Sequence, residues 1–181
     1  MKDNLLSYKT MKKALDLLDK EMDKKQIIRE IYICGGASLI LKGIIDRATR
    51  DIDVLNPEIE SDLEFMECVH HVGKKLGLQE NWVNNGPRSL LNDLDSNWEK
   101  SSEEIYLGNS IKVFSISRKD MLFSKLYAYC DRLRDIDDII AMKPTIEEID
   151  ELVEKVQKMD GNSEWPKWVA KKIYELKERL K

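Results

Sequence analysis

Leu5, Leu6, Met11, Ala14, Leu15, Leu18 and Met22 recur at helical spacing with lysines and acids between them, so residues 4–24 read as an amphipathic helix. Ile31-Tyr32-Ile33-Cys34 is a β-branched and aromatic run that stops at Gly35-Gly36. Good helix formers follow, from Ala37 to Lys42, and end at Gly43. The pattern is strand, glycine turn, helix. Asp51 to Leu55 alternates polar and apolar residues and closes at Asn56-Pro57, which predicts a second strand. Leu63, Met66, Val69, Gly73 and Leu76 mark the buried stripe of a helix over 59–76, with Gly77 in the position glycine often takes after a helix.

Residues 84–102 read as a loop that opens on Asn84-Asn85-Gly86-Pro87. Ile105-Tyr106-Leu107 and Ile111 to Ile116 flank Gly108-Asn109 as a hairpin, in which a two-residue turn would set Ile105 opposite Lys112. Ser117 with Asp120 resembles a capping box and opens one long helix from Lys119 to Met142, bounded by Pro144. Thr145 with Glu148 repeats the device for a helix over 145–159. After Gly161-Asn162 comes a last helix, which Trp165 and Trp168 are expected to anchor. The fold class expected from this order is α+β, a small mixed sheet covered by helices. Residues 1–143 would form the main domain and 144–181 a C-terminal helical extension packed on it.

Composition narrows the classes of function. The 181 residues suit one domain with a real core, and the apolar 42% is periodic rather than scattered, so the chain folds. A net charge of −4 argues against a protein that coats nucleic acid non-specifically. Cys34, Cys68 and Cys130 lack the spacing of a disulfide framework or a thiolate metal site, which points to a reduced, cytoplasmic setting. Charges interrupt every apolar stretch, and no membrane partner is expected.

The chemistry begins with Asp51 and Asp53. Residues two apart on a strand share a face, so both carboxylates project together while Ile52 and Val54 enter the core. Two like charges so close call for a counterion. Mg²⁺, or Mn²⁺, suits them, because a hard ion takes carboxylate oxygens and accepts substrate phosphates in its remaining positions. Gly35 and Gly36 add a turn whose bare backbone lets N–H groups approach phosphate, and Ser38 adds a hydroxyl. Arg47 and Arg50 flank the acid pair, where they either contact phosphate or merely balance charge. His70-His71 sits within a helix and points two ways, which makes a shared metal improbable.

With those residues in hand, the sequence resembles the nucleotidyltransferase superfamily of the DNA polymerase β type, whose hallmark is a strand, a Gly-Gly or Gly-Ser turn, a helix, and a strand carrying Asp-x-Asp. IYICGGASLILKG followed by RATRDIDVL looks more narrowly like the bacterial AbiEii-type, toxin-like nucleotidyltransferases. Their Lys-Leu-x-Ala and Arg-Asp-x-x-Asp segments are matched by Lys125-Leu126-Tyr127-Ala128 and Arg134 to Asp138. The resemblance implies a nucleotidyltransferase fold in which Asp51 and Asp53 hold Mg²⁺ on a nucleoside triphosphate. Gly36 and Ser38 would cradle its phosphates, Lys125 would neutralise charge, and Asp138 or Asp135 would orient Lys125 or the acceptor. Geometry and resemblance disagree on that acid. On one straight helix Asp135 lies roughly 80° from Lys125 and Asp138 roughly 140°, whereas the family pattern points to Asp138.

One departure matters. Relatives commonly carry a third carboxylate on a later strand, and IKVFSIS has none, with Glu104 a weak substitute. Two functions follow from the resemblance. The first is Mg²⁺-dependent transfer of a nucleotidyl group from an NTP to a hydroxyl of RNA, a tRNA end included, or of a protein, as one half of a toxin–antitoxin pair. The alternative is a fold-retaining binding module without turnover, for nucleotide sensing or for holding a cognate antitoxin or toxin.

Overall fold

The computed structural model describes residues 4–86 and 88–180; Pro87 of the expected turn lies outside them. The described chain is a mixed α+β structure that forms two compact units, the first ending at Ser117 and the second beginning at Arg118. Patterning alone had put the break before Pro144.

The first unit is built on a five-stranded mixed sheet. Its strands are β1 (Arg29–Cys34), β2 (Ile52–Asn56), β3 (Val83–Asn84), β4 (Glu103–Leu107) and β5 (Ile111–Ser115), in the spatial order β3-β2-β1-β5-β4. β1 runs antiparallel to β2 and parallel to β5. β2 and β3 are parallel, β4 and β5 antiparallel. Ile31, Ile33, Ile52, Val54, Ile111 and Val113 alternate onto one face and are buried there with Leu15, Leu18, Phe65 and Val69. Those partners come from α1 (Tyr8–Lys25) and α3 (Leu63–Leu76), which pack on each other, while α2 (Gly35–Leu41) packs between α1 and the sheet. Trp82 closes this core against Gly73, with its Nε1 donating to the Val69 carbonyl at 2.9 Å.

The opposite face carries Tyr32 stacked on Phe114, ring centres 5.0 Å apart, with Trp98 in a T-shaped contact with Tyr32, ring centres 5.2 Å apart. Trp98 comes from the segment read as loop. That segment begins at the end of β3 and holds a 3₁₀ helix, Arg88–Asp93, which packs against β2.

Three expectations are corrected here. The first helix starts at Tyr8 rather than at residue 4, because Leu6 pairs as an antiparallel bridge with Thr49 and Ser7 caps the helix by accepting from the Thr10 N–H. The hairpin pairs Leu107, not Ile105, with Lys112. Its wider turn is organised by Asp19 of α1, whose Oδ1 accepts from the N–H groups of Ser110 at 2.7 Å and Ile111 at 3.1 Å.

The long helix over 119–142 is in fact two. In the second unit α4 (Arg118–Arg132) and α5 (Ile136–Met142) are separated by Leu133 and Asp135, which adopt φ of 54° and 67°. Left-handed backbone at a non-glycine residue costs about 1–2 kcal/mol. Asp135 opens the second piece and both it and Asp138 reach Lys125 of α4, an ion cluster that a straight helix could not make. α6 (Ile146–Gln157) begins with the expected capping box of Thr145 and Glu148. α7 (Trp165–Leu180) is tied down as expected, since Trp165 Nε1 donates to the Val156 carbonyl and Trp168 Nε1 to that of Cys130. No described helix is long and apolar enough to cross a membrane. All three cysteines are buried, and none forms a disulfide among the described residues.

Candidate functional site

β1 ends where its apolar run ends, and Gly35 turns the chain with φ of 71°, a conformation glycine adopts without strain. Across the antiparallel pair, Cys34 faces Asp53, so the turn and the second acid are brought together by strand register. Asp51 and Asp53 are half-buried, and Ile52 and Val54 beside them are fully buried, as the period of two requires.

The Asp53 carboxylate lies between two glycines. A methyl group placed on Gly35 would come 3.0 Å from its Oδ2, and one on Gly86 would come 2.5 Å from its Oδ1. Only bare backbone leaves room on both sides. Gly36 faces other neighbours: the same construction meets Arg47 Nη2 at 3.2 Å and Thr49 Oγ1 at 3.5 Å. Thr49 Oγ1 also donates to Asp51 Oδ1 over a long 3.5 Å. Asp53 therefore belongs to the Gly35 side of the turn, and Arg47 and Thr49 to the Gly36 side.

The remaining residues singled out by sequence fall into three places. Ser38 is wholly buried, with its Oγ 2.5 Å from Ser115 Oγ, which in turn donates to the Ile116 carbonyl; this hydroxyl joins α2 to β5 inside the core. Arg50 is exposed, and its carbonyl accepts from Gln79 Nε2 at 3.0 Å. Lys125, Asp135 and Asp138 belong to the second unit. There Lys125 Nζ donates to Asp135 Oδ1 at 2.8 Å and to Asp138 Oδ2 at 2.7 Å, with Asp138 only 2% exposed. Both acids contact the lysine, because the break between α4 and α5 departs from the single straight helix expected.

Gly86 is the residue that sequence reasoning passed over as one more turn glycine. No local signal distinguishes it, since its neighbour Asp53 lies far away in the chain. Glu104 is exposed on β4, paired with Phe114, so the open face of β5 carries aromatic and basic side chains and no acid.

Asp53 lies on β2 and Asp51 immediately before it, outside the strand expected to hold both; each carries the hard carboxylate oxygens that a divalent cation takes. Among the described residues no group of three or more His, Cys, Asp or Glu side chains is arranged to hold a metal ion. Around the site burial, reinforced by Glu99 and Glu30, pushes the Tyr32 phenol above its ordinary value, so it stays a neutral ring on the open face.

The sequence profile of one family, described as nucleotidyltransferase of unknown function (DUF6036), matches residues 8–172. No curated protein and no solved structure shows significant similarity. The family match takes in most of the chain, from α1 into α7, and with it the glycine turn and the Asp-x-Asp strand. The chain therefore belongs to this family of nucleotidyltransferases of unknown function.

Proposed function

We propose that the chain transfers a nucleotidyl group from a nucleoside triphosphate to a hydroxyl group, with Mg²⁺ or Mn²⁺ as the metal. The observation that carries the reading is Asp53, held between Gly35 and Gly86 on the strand that follows the glycine turn. Asp51 and Asp53 are the residues to hold the cation, which when bound supplies charge neutralisation on the phosphate oxygens. Arg47 and the N–H groups of the glycine turn orient the triphosphate. The acceptor oxygen bonds to the α-phosphorus, the bond from that phosphorus to the β-phosphate oxygen breaks, pyrophosphate leaves, and the acceptor proton passes to water. An RNA hydroxyl, a tRNA end included, or a protein hydroxyl is the acceptor class.

The finer reading, a toxin-like enzyme of AbiEii type working beside a cognate antitoxin, rests on the motif resemblance alone. The same resemblance gives Lys125 the task of neutralising phosphate charge and Asp135 and Asp138 that of orienting it; the two short ion pairs support the orienting part.

A second reading is favoured by the open face of β5, which lacks the third carboxylate. It is a module that binds nucleotide, or a partner protein, without turnover. The two readings separate in one experiment. The protein is incubated with each α-labelled NTP, Mg²⁺, total RNA and cell protein, beside Asp53→Ala. Label transfer lost in the variant supports the enzyme; triphosphate binding without transfer to either acceptor class supports the module.

A further inference from the structure

Charge is unevenly shared between the last two helices of the second unit. α6 carries Glu147, Glu148, Asp150, Glu151 and Glu154 against one lysine, whereas α7, in a chain of net charge −4, carries four lysines and Arg179 against Glu175 and Glu178. Mixed signs serve solubility, while segregated ones make a field that a charged partner feels. On α7 the helical repeat sets Trp168, Lys171, Lys172 and Arg179 within about 100° of one another, on a flank beside the buried stripe of Trp165, Val169, Ile173 and Leu176. Lys172 Nζ pairs with Glu175 Oε2 at 2.7 Å and lies 4.7 Å from the centre of the Trp168 ring. That hydrogen bond first, and then the charges of Lys172, Lys171 and Arg179, hold the Glu175 carboxyl below its ordinary value, so three cations gather about one acid. Lys171 and Arg179 are exposed and make no ion pair among the described residues. Trp168 is 38% exposed, and its Nε1, donating to the Cys130 carbonyl at 2.8 Å, fixes the ring at the border of this stripe.

We propose that this flank of α7, from Trp168 to Arg179, is the surface on which single-stranded RNA lies, its phosphates against Lys171, Lys172 and Arg179 and a base against Trp168. The eleven-residue step between the ends covers about 16 Å of helix. A fixed ring beside a cationic stripe suits unpaired nucleotides, because every base has a face to stack while the phosphates supply the charge. An acidic peptide would meet the same cations without a base to set on the indole. The surface names RNA, rather than protein, as the acceptor class; in that respect it rests on the transfer reading above, whereas the binding itself does not.

Fluorescence anisotropy of a labelled single-stranded RNA of about 20 nucleotides, titrated with the full chain between about 50 and 200 mM NaCl and without NTP, tests the surface. Three phosphate contacts on a single strand predict a slope of log affinity on log salt of about −2. Lys171→Gln with Arg179→Gln removes two of them, so the slope is expected to flatten by about 1.4 and affinity at the lowest salt to fall about 10- to 100-fold. Lys74→Gln with Lys75→Gln, the same loss of charge from exposed positions on α3, is expected to leave affinity within about twofold. Inorganic polyphosphate of matched charge, which has no base to stack, should bind about fivefold more weakly or less than that. The inference is overturned if the parent binds no RNA, if the slope is unchanged in the α7 pair, if both pairs weaken RNA equally, or if polyphosphate or a polyglutamate peptide binds as tightly as RNA. Label transfer to RNA that ignores the α7 pair would overturn the inference and spare the transfer reading. RNA held through α7 without transfer would do the opposite.

Discussion

Gly86→Ala adds one methyl group at the place where the second glycine meets Asp53. The new carbon would lie 2.5 Å from Asp53 Oδ1, 2.6 Å from its Cβ and 2.8 Å from its Cγ. Ordinary contact between such atoms is about 3.5–4.0 Å, so one side chain is overlapped by about 1 Å at three atoms. Two responses are open. If the surroundings hold, overpacking costs about 1–3 kcal/mol. If Asp53 yields, its carboxylate moves by about 1 Å, a displacement that costs on the order of 10²-fold in rate at a reacting centre. Because backbone and not a flexible side chain carries the methyl, both effects are expected together. Urea denaturation gives the first and Mg²⁺-dependent nucleotidyl transfer the second. Gly161→Ala is the control, since nothing lies within 4 Å of the added carbon and stability should change by less than about 0.5 kcal/mol. The double variant isolates the cause. In an Asp53→Gly background all three overlapped atoms are gone, so adding Gly86→Ala should cost less than half of what it costs in the parent. Equal cost in both backgrounds would refute the assignment of Gly86 as the wall against Asp53.

Two further predictions concern the second unit. Lys125→Met takes the lysine away from the carboxylates of Asp135 and of the nearly inaccessible Asp138, and is expected to cost about 3–5 kcal/mol. Asp138→Asn should cost less, because Lys125 keeps Asp135, and Asp135→Asn least, because its side chain is 21% exposed. Urea melts giving Asp135→Asn the larger cost would overturn that order. The Arg118 guanidinium and the Thr145 N–H hold the Glu148 carboxyl below its usual 4.5. A depressed carboxylate contributes stability that is complete above the unfolded value and is lost as pH falls through the folded one. Stability of the parent should therefore drop below about pH 4.5 more steeply than that of Glu148→Gln; parallel curves would show that the pair does not couple to folding.

The candidate site was legible in outline because its signals are local. A strand that stops at Gly-Gly and a strand that alternates Asp, Ile, Asp each follow from backbone periodicity and glycine's freedom at positive φ. The capping box at Thr145 and Glu148, the C-cap at Gly77 and the tryptophan anchors of α7 are of the same kind. Where the reading departed from the structure, a distant side chain had intervened. Asp19 of α1 draws the Ser110 and Ile111 amides into a wider turn than hairpin rules choose. Lys125 draws Asp135 and Asp138 together and bends what helical periodicity makes one helix into two. Ser38 shows the reverse case, a polar residue beside a phosphate-binding signature whose hydroxyl turns inward to Ser115.

What this sequence determined by itself was most of the helices and strands, the α+β class, and the succession of a glycine pair and an Asp-x-Asp segment. These depend on spacing of two to four residues, which folding does not alter. Only the tertiary structure decided which groups meet that turn. Register between β1 and β2 sets Asp53 against Gly35, the segment after β3 closes Gly86 upon it, and the bridge from Leu6 to Thr49 fixes the loop that brings Arg47 to Gly36. Those contacts join residues many positions apart, and whether two such residues touch depends on how the elements between them pack, which no short window of sequence records.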